Sequence, residues 1–166
     1  MQQWIIHEVF PELGPEHLEP LLESYLRIWN NPENLRFLSF TQIPFDESMV
    51  KSWLSSRARE GVHYFSAASV GETGGIAVVK LDRIQGCELM GIGVDPKWKR
   101  HGVGTALIQH VVSFAGDHGF RSLDAFVFAD NVRMLRILLS LGFIPVGMEH
   151  HRRPDGADLL RMKREL

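Results

Sequence analysis

The stretch Val94-Asp95-Pro96-Lys97-Trp98-Lys99-Arg100-His101-Gly102-Val103-Gly104-Thr105-Ala106-Leu107 carries the residue types from which an anion site is built. A β-type run ends at a proline break, and a basic, glycine-containing loop then opens into an amphipathic helix pattern. The first amides of a helix have no partner inside it, and the helix dipole favours negative charge there. Gly102 and Gly104 let the backbone approach phosphate oxygens closely, and Lys99, Arg100 and His101 add positive potential at the mouth. A diphosphate suits such a loop. Two other phosphate loops fail on residues. Neither Lys-Ser nor Lys-Thr follows these glycines, as a P-loop requires, and Leu107 stands where a dinucleotide fingerprint has its third glycine. The loop also lies past the midpoint of the chain, and the connector Asp95 to His101 separates it from its strand. An ordinary β–α connection with helix-starting glycines is the plain alternative.

The elements that must position this loop are legible on both sides of it. Trp4 to Phe10 reads as a first strand, closed by Pro11 and Gly14. Leu18, Leu21, Leu22, Tyr25, Leu26 and Trp29 are spaced for one helix face, with Pro20 expected in its first turn and Asn30-Asn31-Pro32 at its end. Asp46 is the N-cap of a second helix with Met49, Val50, Trp53 and Leu54 on one side and Gly61 as its stop. Val62 to Val70, Gly75 to Leu81 and Cys87 to Val94 are short β-type runs, the first two joined through Gly71-Glu72-Thr73-Gly74. A helix is predicted from about Gly102 to Asp117, a buried strand from Leu123 to Phe128, and a helix from Asn131 to Leu141 stopped by Gly142. Phe143 to His151 and Ala157 to Arg164 read as closing strands around Pro154-Asp155-Gly156. The order βααβββαβαββ indicates a mixed α/β (α+β) domain, and the absence of repeats or linkers predicts one domain over 1–166.

Composition narrows the class. At 166 residues, 45% apolar and 23% charged, the chain reads as an ordinary globular protein with enough length for a real core. No run approaches the ~20 apolar residues that span a bilayer. Met1 to Phe10 lacks the basic start and apolar run of a leader. With one cysteine, Cys87, there is no internal disulfide and no metal-binding spacing, which suits a reducing cytoplasm. A net charge of -2 makes no case for nucleic acid or membrane partners. Charge is uneven, however: residues 1–60 hold nine acids and five bases, the remainder 11 acids and 13 bases. That asymmetry either favours a cationic substrate with an anionic cofactor or reflects solvated helix faces.

The loop resembles the acetyl-CoA motif of the GNAT superfamily, Gln/Arg-x-x-Gly-x-Gly/Ala after a strand ending in Val-x-Pro, with Lys99 at the first position. Asn131 followed by Gly142-Phe143 resembles the second motif, Asn-x-x-Ala-x-x-x-Tyr-x-x-x-Gly-Phe, with Met134 at the alanine and Leu138 at the tyrosine. Together the resemblance covers about residues 62–146. It implies the GNAT acyl-CoA N-acyltransferase fold, a mostly antiparallel twisted sheet with helices on both faces. It also implies an N-acetyltransferase using acetyl-CoA and no metal, transferring directly to a primary amine of a small molecule or a protein N-terminus, with a homodimer among the assemblies it admits. Lys99, Arg100, His101, Gly102, Val103, Gly104 and Thr105 would hold the diphosphate, with Asn131 from the second motif. The backbone around Ile92 and Val94, on a strand splayed from its neighbour, would pair with the pantetheine arm and donate to the thioester oxygen.

The resemblance also places Glu88, fourteen residues ahead of Gly102, where some GNAT histone acetyltransferases hold a general base. Amines of pKa ~8 to ~10.4 are mostly protonated at neutral pH, so a base helps. Period-two alternation would set Glu88, Met90, Ile92 and Val94 on one face, with Cys87, Leu89 and Gly91 opposite. A solvent-exposed strand-end glutamate is the alternative, and Asp82 and Glu72 are weaker candidates. With Leu138 in place of the tyrosine, the usual proton donor is missing; Tyr64, His150 and His151 are the substitutes to consider. A catalytically weak acyl-CoA-binding module that senses or regulates is the competing reading. His150-His151-Arg152-Arg153 reads as an exposed edge, since adjacent strand residues point apart and do not share a metal. Cys87 reads as a small buried hydrophobe. Among the aromatics Trp29, Phe37, Phe40, Phe45 and Trp53, most are expected in the core and some in a substrate pocket.

Overall fold

The computed structural model describes residues 3–166, so Met1 and Gln2, where the stretch read for a leader begins, lie outside the description. Seven strands form one sheet: β1 (Ile5–Val9), β2 (Val62–Ser69), β3 (Glu72–Asp82), β4 (Gly86–Val94), β5 (Ser122–Phe128), β6 (Ile144–Glu149) and β7 (Leu159–Glu165). Their spatial order is β1-β2-β3-β4-β5-β7-β6. Only β4 and β5 pair in parallel; every other pairing is antiparallel. The helices are α1 (Pro15–Trp29), α2 (Pro32–Leu38), α3 (Glu47–Ser56), α4 (Val103–Asp117) and α5 (Val132–Ser140).

Strand β3 shows why helices cover both faces. Ile76 and Val78 point into a core with Leu21, Leu22, Ile28 and Trp29 of α1 and with Val50 and Leu54 of α3. The alternate residues Ala77 and Val79 point into the opposite core with Val103, Leu107, Ile108 and Val111 of α4 and Leu138 of α5. A strand buried on both sides has to be apolar throughout, as Gly75 to Val79 is.

Four local expectations change. Asn30-Asn31-Pro32 ends α1 but also starts α2: Asn31 caps it by accepting from the Glu33 amide at 3.1 Å, with Pro32 at its first position. The seven residues of α2 are too few for apolar periodicity to register. Helix α1 begins a turn earlier than expected, at Pro15, which leaves Pro20 inside it. Pro20 and Glu16 are both exposed, so water can reach the carbonyl that the ring leaves unbonded. The β2–β3 turn is shorter than Gly71 to Gly74: Ser69 pairs with Glu72, and Val70 and Gly71 turn the chain at φ 52° and 78°. Beyond it Gly74 is the extra residue of a bulge, and a Cβ there would lie 2.5 Å from the Trp4 ring. The fourth change, in β4, bears on the site.

Candidate active site

Strands β4 and β5 pair only from Cys87↔Leu123 to Leu89↔Ala125, although β4 runs on to Val94 and β5 to Phe128. Each keeps its antiparallel partner on the far side, so the two part like the limbs of a V. Met90 sits at the fork. Val79 pairs with Leu89 and Val78 with Gly91, leaving Met90 as a bulge. The extra residue reverses the phase of β4. Cys87 and Leu89 belong to the α4-side core before it, and Ile92 and Val94 pack against that same core after it. Glu88 therefore does not share a face with Ile92 and Val94, as uninterrupted alternation requires. It lies on the α1 side, with Gly91 and Gly93, where a Cβ at either glycine would meet Trp29.

The fork opens into a cavity of about 1310 Å³, more than the roughly 300–1,000 Å³ of an ordinary small-molecule pocket. Its wall at one end is the chain leaving β4. Buried Asp95 accepts from the Lys97 amide at 3.0 Å, donates its own amide to the Gly74 carbonyl at 2.9 Å and forms an ion pair with Arg27 of α1. Asn34 of α2 donates to the carbonyls of Ile28 and Val94, both at 2.9 Å. Arg100 at φ 68° and Gly102 at φ 80° then turn the chain into α4, whose first backbone bond runs from Ala106 to Gly102. Among the described residues, nothing accepts from the amides of Gly102, Val103, Gly104 or Thr105. A Cβ on Gly104 would touch only Val94, at 3.6 Å. Packing therefore does not require glycine at 104. Its missing side chain leaves open a cradle that the four free amides face, and this fits a diphosphate.

Lys99, Arg100, Gly102, Val103, Gly104 and Thr105 line the cavity together with Ile92, Val94 and Asn131. Lys99 is bound to Glu33 at 2.6 Å, and Asn131 caps α5 by accepting from the Met134 amide at 3.2 Å. His101 is the exception. It does not line the cavity; its ring bonds the Lys99 carbonyl at 2.9 Å and packs edge-on to Trp98. Arg133 and Arg136, which the motifs do not include, also line the wall. Their i,i+3 spacing on a helix capped by Asn131 puts both on one side, a usable signal.

At the fork itself, half-buried Glu88 lies beside Asp124 in the β4–β5 register. Burial, then the Asp124 charge, push the Glu88 carboxyl above its ordinary value, against the pull of Lys80 and Arg161. Asp124 is itself held by Arg161 at 2.6 Å and by Lys163 at 3.7 Å. Of the weaker candidates, Glu72 pairs with Lys97 and Asp82 accepts from the amides of Ile84 and Gln85; neither lines the main cavity. Burial, with Asp124 and Glu88 nearby, pushes the Cys87 thiol up to about 12, so it stays protonated. Leu138 is fully buried and borders the cavity. Tyr64 sits in the α1-side core and His150 and His151 are exposed beyond β6; none of the three lines the cavity.

The sequence pattern of the acetyltransferase (GNAT) family matches residues 18–143. The chain belongs to the GNAT acetyltransferase family. Solved structures agree on the fold. An N-acetyltransferase from Staphylococcus aureus Mu50 superposes with TM-score 0.81 at 19% identity, covering 98% of each chain. A ribosomal-protein-alanine N-acetyltransferase from Brucella melitensis gives 0.79 at 20%, covering 98% of this chain and 99% of that one. A GNAT phosphinothricin acetyltransferase from Sinorhizobium meliloti, solved with acetyl-CoA, gives 0.78 at 20%, covering 98% and 88%. No curated protein sequence matches. Among the described residues, no helix is long and apolar enough to cross a membrane.

In this GNAT chain the opposite end of the cavity is braced by Arg153, which is not the exposed edge residue its neighbours suggest. It is 2% exposed. Its guanidinium bonds Asp155 at 2.8 and 2.9 Å, Asp130 at 2.5 Å and the Arg36 carbonyl at 2.9 Å, and lies over the Phe128 ring. The turn Arg153–Gly156, closed at 2.8 Å, folds this side chain inward. Arg36 pairs with the same Asp130 at 2.9 Å. Helix α2 thus bridges the fork, tied to the β4 side through Asn34 and Glu33 and to the β5 side through Arg36.

Proposed function

We propose that this protein is an N-acetyltransferase that takes the acetyl group of acetyl-CoA and places it on a primary amine. One observation carries the reading: four unpaired amides at the start of α4 open onto the gap where β4 and β5 separate. Lys99, Arg100, Arg133 and Arg136 surround that end, against the single acid Glu33, which suits a polyanionic coenzyme. The open edge of β4 beyond Leu89 offers backbone to an extended pantetheine arm around Ile92 and Val94. In the transfer, a bond forms between the amine nitrogen and the acetyl carbon as the thioester C–S bond breaks. Glu88 takes the proton the nitrogen loses, and the thiolate is protonated to a thiol. Across the reaction an ammonium yields an amide, a thiol and one proton.

Nothing in the cavity wall carries a tyrosine hydroxyl, and buried Leu138 stands at the family's tyrosine position. That favours a slower enzyme whose thiolate takes its proton from water, and it keeps alive the second reading, a coenzyme-binding module without turnover. Buried, protonated Cys87 fits a reducing cytoplasm. Titration calorimetry with coenzyme A, followed by thiol release from acetyl-CoA across an amine panel, separates the readings. Binding with release supports the transferase; binding without release on any amine supports the module; no binding removes both.

A further inference from the structure

The acidic front half of the chain does not gather at the cavity. Of its nine acids, only Glu33 lines the wall, and Lys99 holds it. Asp46 caps α3, while Glu19 and Glu8 are bound to Lys51 and His63. The end of the cavity away from α4 is instead aromatic. Trp29, Phe37 and Phe40 face it from one side, and Phe126 and Phe128 face it from the other.

Two of these rings are exposed in a way a core does not explain: Phe40 at 46% and Phe126 at 38%, with Met90 beside them at 40%. Exposed apolar side chains converging on one concave site mark a ligand surface. The charges around them are largely matched. Arg36 and Arg153 are matched by Asp130 and Asp155, and Arg152 pairs with Glu149 at 3.0 Å while lying over the Phe40 ring. Among the described residues, the carboxylate here with no ion pair or hydrogen bond of its own is Glu88.

Building on the transferase reading, we infer that the acceptor is a primary amine borne on an apolar group of aromatic size, its nitrogen at Glu88 and its ring among Phe40, Phe126 and Phe128. A polyamine fits poorly. Its distal ammonium groups would meet the guanidinium groups of Arg36 and Arg152, with no free acid to receive them. The same chemistry is presented by a free arylalkylamine and by a peptide with an N-terminal phenylalanine.

The test measures kcat/KM with acetyl-CoA for phenethylamine, n-butylamine, spermidine and a short peptide beginning with phenylalanine. Phenethylamine or the peptide should exceed n-butylamine and spermidine by roughly tenfold or more. Which of the two leads identifies the source. In Phe40→Ala and Phe126→Ala the aromatic-to-aliphatic ratio should fall toward one. That change in ratio is something a general loss of folding does not produce. Spermidine or n-butylamine turning over as fast as the aromatic amines, or a ratio untouched in both variants, overturns this acceptor assignment and leaves the transferase reading standing. Coenzyme binding with no thiol release from any of the four overturns the transferase reading and this inference with it.

Discussion

Glu88 is subject to two opposed influences. Burial and the Asp124 charge favour its protonated form; Lys80 and Arg161 favour the carboxylate. The first pair wins, so a larger share of the acid is protonated near neutrality than for an exposed glutamate of pKa ~4.3. A base acts only when deprotonated. The acid limb of kcat/KM against pH should therefore lie above that reference value. Glu88→Gln should lower kcat/KM by roughly 10²–10⁴ and flatten the limb. Asp124→Asn should move the limb to lower pH, because it removes a neighbouring negative charge and frees Arg161 to attract the Glu88 carboxylate. Steady-state profiles over the acid range decide this, and a limb unmoved in Asp124→Asn counts against the pairing.

At the scale of elements, α2 and the β6–β7 connection hold the fork open. Both depend on Arg153, whose guanidinium is enclosed by groups from three segments. Replacing it with alanine leaves Asp130 with Arg36 alone, deprives Asp155 and the Arg36 carbonyl of their partner and leaves a void over Phe128. Its acid partners are partly exposed, with side chains 32% and 46% accessible, so the expected loss lies below the roughly 3–5 kcal/mol of a fully buried pair, at about 2–3 kcal/mol. The Asp130 and Asp155 carboxyls are held below their ordinary value by Arg153, among other groups. Their contribution is thus present above the unfolded pKa of ~3.9 and lost as pH falls through the lower folded values. Urea unfolding of wild type and Arg153→Ala should differ most near neutrality and converge in acid. Gly93 sets a second element-level contact, α1 against β4. A Cβ there would lie 2.6 Å from Ile28 and 2.8 Å from Trp29. Gly93→Ala should destabilise by roughly 1–3 kcal/mol, read as a lower urea midpoint at unchanged m.

For the whole molecule, the end of the cavity proposed for the coenzyme joins α4, β4 and α5 across a gap that no backbone pairing closes. A ligand that binds only the folded state should act as the missing bridge. At a hundred times its Kd, acetyl-CoA should add about 2.7 kcal/mol, or roughly 5–10 °C in Tm at ~2–4 °C per kcal/mol. Gly104→Trp should keep the unliganded Tm within a few degrees, since the position has ordinary backbone and open space, and should lose the ligand-induced rise. Differential scanning fluorimetry with and without acetyl-CoA reports both, and a normal rise in the variant would remove the diphosphate assignment.

Much of this was written in local sequence. The β–loop–α unit around Gly102 and Gly104, the caps Asp46 and Asn131 and the antiparallel run from Val62 to Val94 depend on neighbours a few residues away, where spacing and capping chemistry act. Helix α2 was legible only as a cap-and-proline pair, Asn31-Pro32, because seven residues are too short for a pattern. Other features arise from contacts far apart in the chain. The Met90 bulge, which moves Glu88 to the α1 face, exists because β4 must register with β3. Arg153 reads like its exposed neighbour Arg152 until the turn at Gly156 brings it to Asp130 and the Arg36 carbonyl, 23 and 117 positions away. The gathering of Phe40 with Phe126 and Phe128, likewise, is set by how α2 crosses the fork. Local chemistry determined the elements and the loop proposed to bind an anion; the packing of distant segments decided which face each candidate site residue occupies and which charges are already satisfied.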